Sequence, residues 1–285
     1  GMPYVEYVSG VGDDRRKGGA PPGGWVEEGV AVLSKFPLRS LESVGMPPST
    51  RSSDRNPRTT VGVVAETPLG PVRVVASHLS YDRQQQCDAV GHDLRPWLDR
   101  LWQGDDHQIL MGDLNTYPDF EWPVDLLTKS PDVVAALQSP CSSAVVVQTP
   151  SSSSSSKGAA EEKDLLKEAP PPFTDAWDAA PLVFKEENED GWTFPNPATM
   201  DLDPARPDRV LVRSRPGAKQ LRPRATYILG CDPVPLLSGD DDEKRTTTTR
   251  GFGGGMPSLK TKTSTRPSDH RLLVVDFEEE KEGTG

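Results

Sequence analysis

The stretch Gln108-Ile109-Leu110-Met111-Gly112-Asp113-Leu114-Asn115 constrains the fold of this chain most. Its apolar residues read as a short buried strand, Gly112 breaks that strand, and Asp113 and Asn115 emerge at its end. Continuous apolar runs of this kind belong to sheets covered on both faces, and polar residues just past such a strand are well placed for a site. Asp113 and Asn115 stand two apart, so in extended chain they point the same way, and a carboxylate and an amide converge on a metal ion or a phosphate. Taken alone, a Gly-Asp after a strand is more often an ordinary turn. What precedes and follows it separates the two readings.

Upstream, Pro3 to Val8 alternates loosely as a strand, and Glu28 to Ser34 reads as a buried strand ended by Phe36-Pro37-Leu38. Thr59 to Glu66 and Val72 to Ser77 form a hairpin across the turn Leu69-Gly70-Pro71 and end on His78. Ser80 is the expected helix N-cap. Behind it Cys87, Val90, Leu94, Trp97, Leu98 and Leu101 recur with helical periodicity, and Pro96 is expected to bend the helix. Strand, helix and the Asp113 strand in that order make a crossover unit. Downstream strands are expected at Asp208 to Val212, Tyr227 to Leu229 and Arg271 to Phe277.

Residues 138–172, with the serine run Ser151 to Ser156, and residues 238–265 are too polar and repetitive to bury a core. They read as disordered insertions in a single domain spanning 1–285, and residues 278–285 read as an acidic tail. These segments explain why only 34% of the chain is apolar. The net charge of −11 argues against non-specific adhesion to nucleic acid or to anionic membrane. No apolar run approaches the ~20 residues that span a bilayer, and no secretory pattern opens the chain, so an intracellular, cytoplasmic location is the default. Three cysteines without close spacing, Cys87, Cys141 and Cys231, argue against a disulfide framework and a zinc site and for a reducing compartment. Oligomeric state is not legible.

Four polar signals stand at the edges of expected strands: His78, the Asp113/Asn115 pair, Asp208 and the Asp269-His270 pair. Polar residues at matching strand ends share one crevice. Oxygen ligands suit Mg²⁺, and two histidines suit proton transfer or a hydrogen bond to a phosphate oxygen. Hydrolysis of a phosphate ester asks for this mixture.

The ordered set Glu28 to Leu38 (EGVAVLSKFPL), Ser77-His78-Leu79-Ser80, Gly112-Asp113-Leu114-Asn115, Arg206-Pro207-Asp208-Arg209-Val210 and Ser268-Asp269-His270 resembles the endonuclease/exonuclease/phosphatase superfamily of DNase I-like metal-dependent phosphoesterases. The resemblance runs from about Trp25 to Phe277, less the two insertions. It implies a four-layer α/β sandwich with two mixed β-sheets face to face. It also implies a Mg²⁺-dependent phosphoesterase, with Mn²⁺ as the alternative ion, acting on a small-molecule, lipid-derived or nucleic-acid phosphoester.

Residue by residue, the resemblance implies that Asp113 orients or deprotonates the attacking water and that Asn115 holds phosphate or metal. His270 acts as acid/base or donates to phosphate, and Asp208 fixes its tautomer. Asp269 is a metal-site carboxylate, His78 a phosphate contact, Glu28 a supporting carboxylate and Arg58 a grip on phosphate. The family's opening asparagine strand and its Gln-Glu metal ligand have no counterpart here, which implies an N-terminally incomplete fold with a metal site one ligand short. A catalytically impaired binding or scaffold protein that retains the fold is therefore the alternative.

Each residue also has a plainer reading. Asp208 pairs with Arg206 or Arg209, Arg58 is a surface charge, Trp192 and Phe194 pack, Arg15-Arg16-Lys17 is a solvated loop, and Gln84 to Gln86 is an exposed helix face.

Overall fold

The computed structural model describes residues 1–10, 29–48, 52–136, 141, 169–184, 193–194, 205–229, 234–235, 264–265 and 270–279. The chain opens with β1 (Tyr4–Ser9), β2 (Gly29–Ser34), β3 (Leu38–Met46), β4 (Arg58–Thr67) and β5 (Gly70–His78). A helical crossover follows, made of α1 (Arg83–Asp88), a π-helical turn (Ala89–Leu94) and α2 (Arg95–Leu101), and it leads into β6 (His107–Asp113). Then come α3 (Trp122–Thr128), α4 (Pro131–Ala136), β7 (Thr174–Asp175), α5 (Ala176–Ala179) and β8 (Leu182–Phe184). The last strands are β9 (Asp208–Ser214), β10 (Leu221–Leu229), β11 (Val234–Pro235), β12 (Ser264–Thr265) and β13 (Leu272–Glu279).

A six-stranded mixed sheet in the order β3-β4-β5-β6-β9-β7 forms the centre. The hairpin β4-β5 turns at Gly70, whose φ of +96° suits glycine. β5 and β6 are parallel, as a helical crossover between neighbouring strands requires. Pro96 has no N–H to return to the preceding turn; it lies at the start of α2, and the turn before it is wound wide as the π-helix. Gly62 in β4 lets α2 sit close, since a Cβ there would lie 2.9 Å from the Trp97 ring.

Apolar residues fill both faces of this sheet. On one, Leu79, Leu94, Leu98, Leu110, Leu114, Leu126 and Leu211 join the helices to the strands. On the other, two clusters lie side by side. Val72, Ile109, Val210 and Val212 meet β10 and β13, while Val61, Val63 and Ala76 meet β2. Val74 and Met111 touch both clusters, so the mixed sheet β13-β10-β8 and the pair β1-β2 cover the same face. The fold is thus α/β with two mixed sheets face to face.

Several elements depart from the sequence reading. β2 is half-exposed rather than buried, with Ala31 and Leu33 turned outward, because only one of its faces meets the central sheet. β3 has no counterpart in that reading; its residues alternate weakly, and pairing with β4 makes them a strand. The cap of α1 is Asp82, whose carboxylate accepts from the Gln85 N–H; Ser80 lies two residues earlier, where its Oγ accepts from the Asp82 N–H. The final strand takes in Glu278 and Glu279, which pair with Arg222 and Leu221 instead of opening a free tail. Ser264 and Thr265, at the border of the second expected insertion, pair with Val234 and Pro235. Apart from 141, 169–172 and 264–265, the two expected insertions lie outside the described residues.

The cysteine reading is also corrected: Cys87 and Cys141 form a disulfide across a separation of 54 residues, both buried in the helix-side core. Sequence spacing says nothing of this pairing, because it depends on α1 and the chain beyond α4 packing over one cluster. Among the described residues no helix is long and apolar enough to cross a membrane.

Candidate active site

Register builds the site. His78 ends β5, Asp113 ends β6 and Asp208 begins β9, and the ladders place His78 opposite Asp113 and Asp113 opposite Asp208. Residues opposite one another share a face, so three strand ends present one imidazole and two carboxylates in a row. His270 reaches the row from the chain just before β13. Its Nδ1 lies 2.8 Å from Asp208 Oδ2 and its Nε2 lies 3.8 Å from Asp113 Oδ2, while His78 Nε2 stands 3.5 Å from that same oxygen. The four side chains keep between 19% and 38% of their surface, so the row stays within reach of solutes. Phe194 packs on the His270 ring at 5.2 Å, and Thr193 Oγ1 accepts from the Asp208 N–H.

Gly112 makes the β6 exit possible. Its φ is +133°, and a Cβ there would stand 2.0 Å from the Ser77 carbonyl oxygen, so only glycine fits where β6 runs tight against β5. Past it, the Asp113 carboxylate accepts from the Asn115 N–H at 2.8 Å, and Asn115 sits at φ +49°. The Asn115 side-chain amide donates to the Leu79 carbonyl at 2.8 Å, and the Leu79 N–H donates to the Asp113 carbonyl at 2.9 Å.

Behind His78 stands a buried ion pair. Arg58 donates from Nε and Nη2 to Asp54 Oδ2, at 3.1 and 2.8 Å, and the same oxygen accepts from Ser80 Oγ at 2.8 Å. Arg58 Nη1 lies 3.1 and 3.2 Å from the two ring nitrogens of His78. Gly10, Gly29, Val30 and Pro57 line the same crevice.

Burial and charge set the protonation of the row. Burial pulls the His78 pKa below its ordinary value, Arg58 and His270 reinforce this, and Asp113 opposes it. Burial raises the Asp113 pKa and the neighbouring Asp208 charge raises it further, against His78, the Asn115 N–H and His270. Burial alone would raise Asp54, but the donors Asn56 N–H, Arg58 and Ser80 outweigh it and hold that carboxyl below the usual range.

The structure therefore brings His78, Asp113, Asn115, Asp208, His270 and Arg58 together. Glu28, Asp269 and Trp192 lie outside the described residues. Arg58 is buried rather than a surface charge, and Asp208 pairs with His270, since Arg206 and Arg209 are taken up by Asp175, Asp178 and Glu121. Sequence reasoning missed Asp54 and Gln86. Asp54 carries only the weak signal of an acid four residues before an arginine. Gln86 belongs to a stretch expected to face solvent, yet it is fully buried.

Asp113 and Asn115 carry hard oxygen atoms of the kind a divalent cation takes, and the Asp208 carboxylate stands beside Asp113. Among the described residues no group of three or more His, Cys, Asp or Glu is arranged to hold a metal ion, so these two residues furnish only part of a coordination shell.

The model of the Endonuclease/Exonuclease/phosphatase family matches residues 3–270. No curated protein matches in sequence. Among solved structures the chain is similar to a mannosyl-6-phosphatase of Bacteroides thetaiotaomicron, with TM-score 0.55, 14% identity, and coverage of 97% of this chain and 78% of that one. It is also similar to an endonuclease/exonuclease/phosphatase family protein of the same organism, with TM-score 0.55, 14% identity, and coverage of 96% and 73%. A third similar structure is D. rerio TDP2 complexed with single-strand DNA product, with TM-score 0.50, 14% identity, and coverage of 96% and 77%. At these identities the likeness speaks for the fold.

Proposed function

The chain belongs to the endonuclease/exonuclease/phosphatase family, and from that premise we propose that it hydrolyses a phosphoester by direct attack of water at the row His78, Asp113, Asp208 and His270. The observation that carries the reading is the convergence of two imidazoles from distant parts of the chain, His78 and His270, on one carboxylate oxygen, Asp113 Oδ2, with Asp208 on the far nitrogen of His270.

His270 shares its Nδ1 side with Asp208, which fixes the tautomer and leaves Nε2 toward Asp113 as the acid/base nitrogen. Asp113 accepts a hydrogen bond from the attacking water and orients it. His78, with Arg58 behind it, donates to a phosphate oxygen, and the positive charge of Arg58 offsets the charge that develops there. Asn115 holds the phosphate or the metal ion. When bound, a divalent cation, Mg²⁺ or Mn²⁺, supplies Lewis-acid polarisation of the phosphoryl oxygen; Asp113 and Asn115 would hold it, and Asp269 would join them.

The neighbours named above concern a sugar phosphate and single-strand DNA. The net charge of −11 favours a small or lipid-derived phosphoester over a polyanion for this chain.

The test assays the whole chain with Mg²⁺ on bis-p-nitrophenyl phosphate, p-nitrophenyl phosphate and single-strand DNA. The expected result is turnover that EDTA abolishes and that Asp113→Ala or His270→Ala lowers by at least ~10²-fold. Absence of turnover, or turnover indifferent to both substitutions, would remove this reading and leave the non-catalytic binding or scaffold protein.

A further inference from the structure

Besides the direct bonds from Leu79 to Asp113 and from Asn115 to Leu79, a buried side chain on a separate helix laces the exits of β5 and β6 together. Gln86, in the middle of α1, has no exposed surface. Its Nε2 donates to the carbonyl oxygens of Ser80 and Asn115, both at 2.7 Å, and lies 3.4 Å from that of Leu114. Three carbonyl oxygens facing one amide nitrogen fix the orientation of the amide, because the flipped form would set oxygen against oxygen. Ser80 follows His78 by two residues, and Asn115 follows Asp113 by two. One side chain thus bridges the two loops that carry the row.

Asn115 is the left-handed member of this bridge. A left-handed conformation is uncommon at a residue with a Cβ, and asparagine tolerates it better than most. Here its N–H is held by Asp113, its side-chain amide by Leu79 and its carbonyl by Gln86. The first bond lies within the turn after β6 and the second joins it to the β5 exit; the third ties the peptide to a separate helix. That helix is fixed from its other side, since Cys87, the next residue, is disulfide-bonded to Cys141.

We infer that Gln86 is a positioning residue of this site: by donating to the Ser80 and Asn115 carbonyls it holds Asn115 left-handed and sets the spacing between the His78 and Asp113 loops. The inference rests on the proposed function for its kinetic arm and on the structure alone for its spectroscopic arm.

Two variants test it. Gln86→Met keeps the length and removes the donors. Gln86→Glu keeps the shape and regains one donor only when protonated. The measurements are the ¹³Cα and ¹³Cβ shifts of Asn115, which report its backbone conformation, and kcat and KM on bis-p-nitrophenyl phosphate. In Gln86→Met the Asn115 shifts leave their left-handed values. Its kcat falls by ~10 to 10²-fold with KM within about twofold, the size expected of a sub-ångström to 1 Å misplacement. In Gln86→Glu the buried carboxyl, facing carbonyl oxygens, stays protonated at neutral pH, so the variant keeps part of kcat there and loses it as pH rises, relative to Gln86→Met at the same pH.

Unchanged Asn115 shifts in folded Gln86→Met would overturn the inference. So would an unchanged kcat, or a Gln86→Glu variant whose shifts and kcat ratio do not respond to pH. Where Gln86→Met does not fold, the Gln86→Glu pH series decides. Where the wild-type chain turns over no substrate, the functional reading fails, and the Asn115 shifts alone settle the role of Gln86.

Discussion

Replacing Asp54 by Ala is the sharpest test of how this site is held. The carboxylate is completely buried and Arg58 is 6% exposed, so neither charge can turn to water when its partner is lost. Four donors face the Asp54 side chain: Arg58 Nε and Nη2, Ser80 Oγ and the Asn56 N–H. Breaking a buried ion pair by removing one partner costs about 3–5 kcal/mol, because the surviving charge remains desolvated. For a chain of this size ~1 kcal/mol corresponds to roughly 2–4 °C in Tm, which predicts a fall of about 6–20 °C.

The assay is urea unfolding with a double-mutant cycle. Asp54→Ala and Arg58→Met are each strongly destabilising, whereas the double variant, which leaves no unpaired charge, recovers about 2 kcal/mol or more of the summed loss. A single-variant loss below ~1 kcal/mol, or strict additivity, would refute the view that this pair is a desolvated unit behind His78. The pair should also be lost in acid. Asp54 has its folded-state pKa below the ordinary 3.8, so its contribution is complete above that value and disappears as pH falls through the lower, folded-state value.

Two further outcomes follow from the fold. Reduction of Cys87–Cys141 frees a loop spanning 54 residues, and loop-closure entropy predicts a loss of about 4 kcal/mol; an unchanged urea midpoint with and without a phosphine reductant would contradict the bridge. Burial holds the pKa of His107, which shares a hydrogen bond with Ser214 Oγ, below its ordinary 6.5 despite Asp106 and Glu279. The unfolded chain then binds more protons between the folded-state value and 6.5, so stability falls as pH drops through that window. His107→Gln should flatten the slope, and an identical slope in the variant would show that His107 does not set it.

Local chemistry and periodicity made part of this protein legible from residues alone. Gly70 marks the β4-β5 turn, Cys87 to Leu101 carry a helical repeat, and the apolar run closed by Gly112 announces β6 with Asp113 at its end. Each is a property of a few consecutive residues, so it survives without knowledge of the fold. The ordered motifs around His78, Asp113, Asp208 and His270 were readable for the same reason.

Tertiary structure decided what depends on distant partners. Asp208 could have paired with either flanking arginine, but Asp175, Asp178 and Glu121 approach from other elements and take both, leaving it to His270. Arg58 and Gln86 look like solvent-facing polar residues in sequence, and they are buried with Asp54 against the guanidinium and three backbone carbonyls around the Gln86 amide nitrogen. Cys87 meets Cys141 only once α1 has packed on the central sheet. A buried polar group is stable only with its partner in place, and the partner's address is a matter of three-dimensional packing rather than of neighbouring residues.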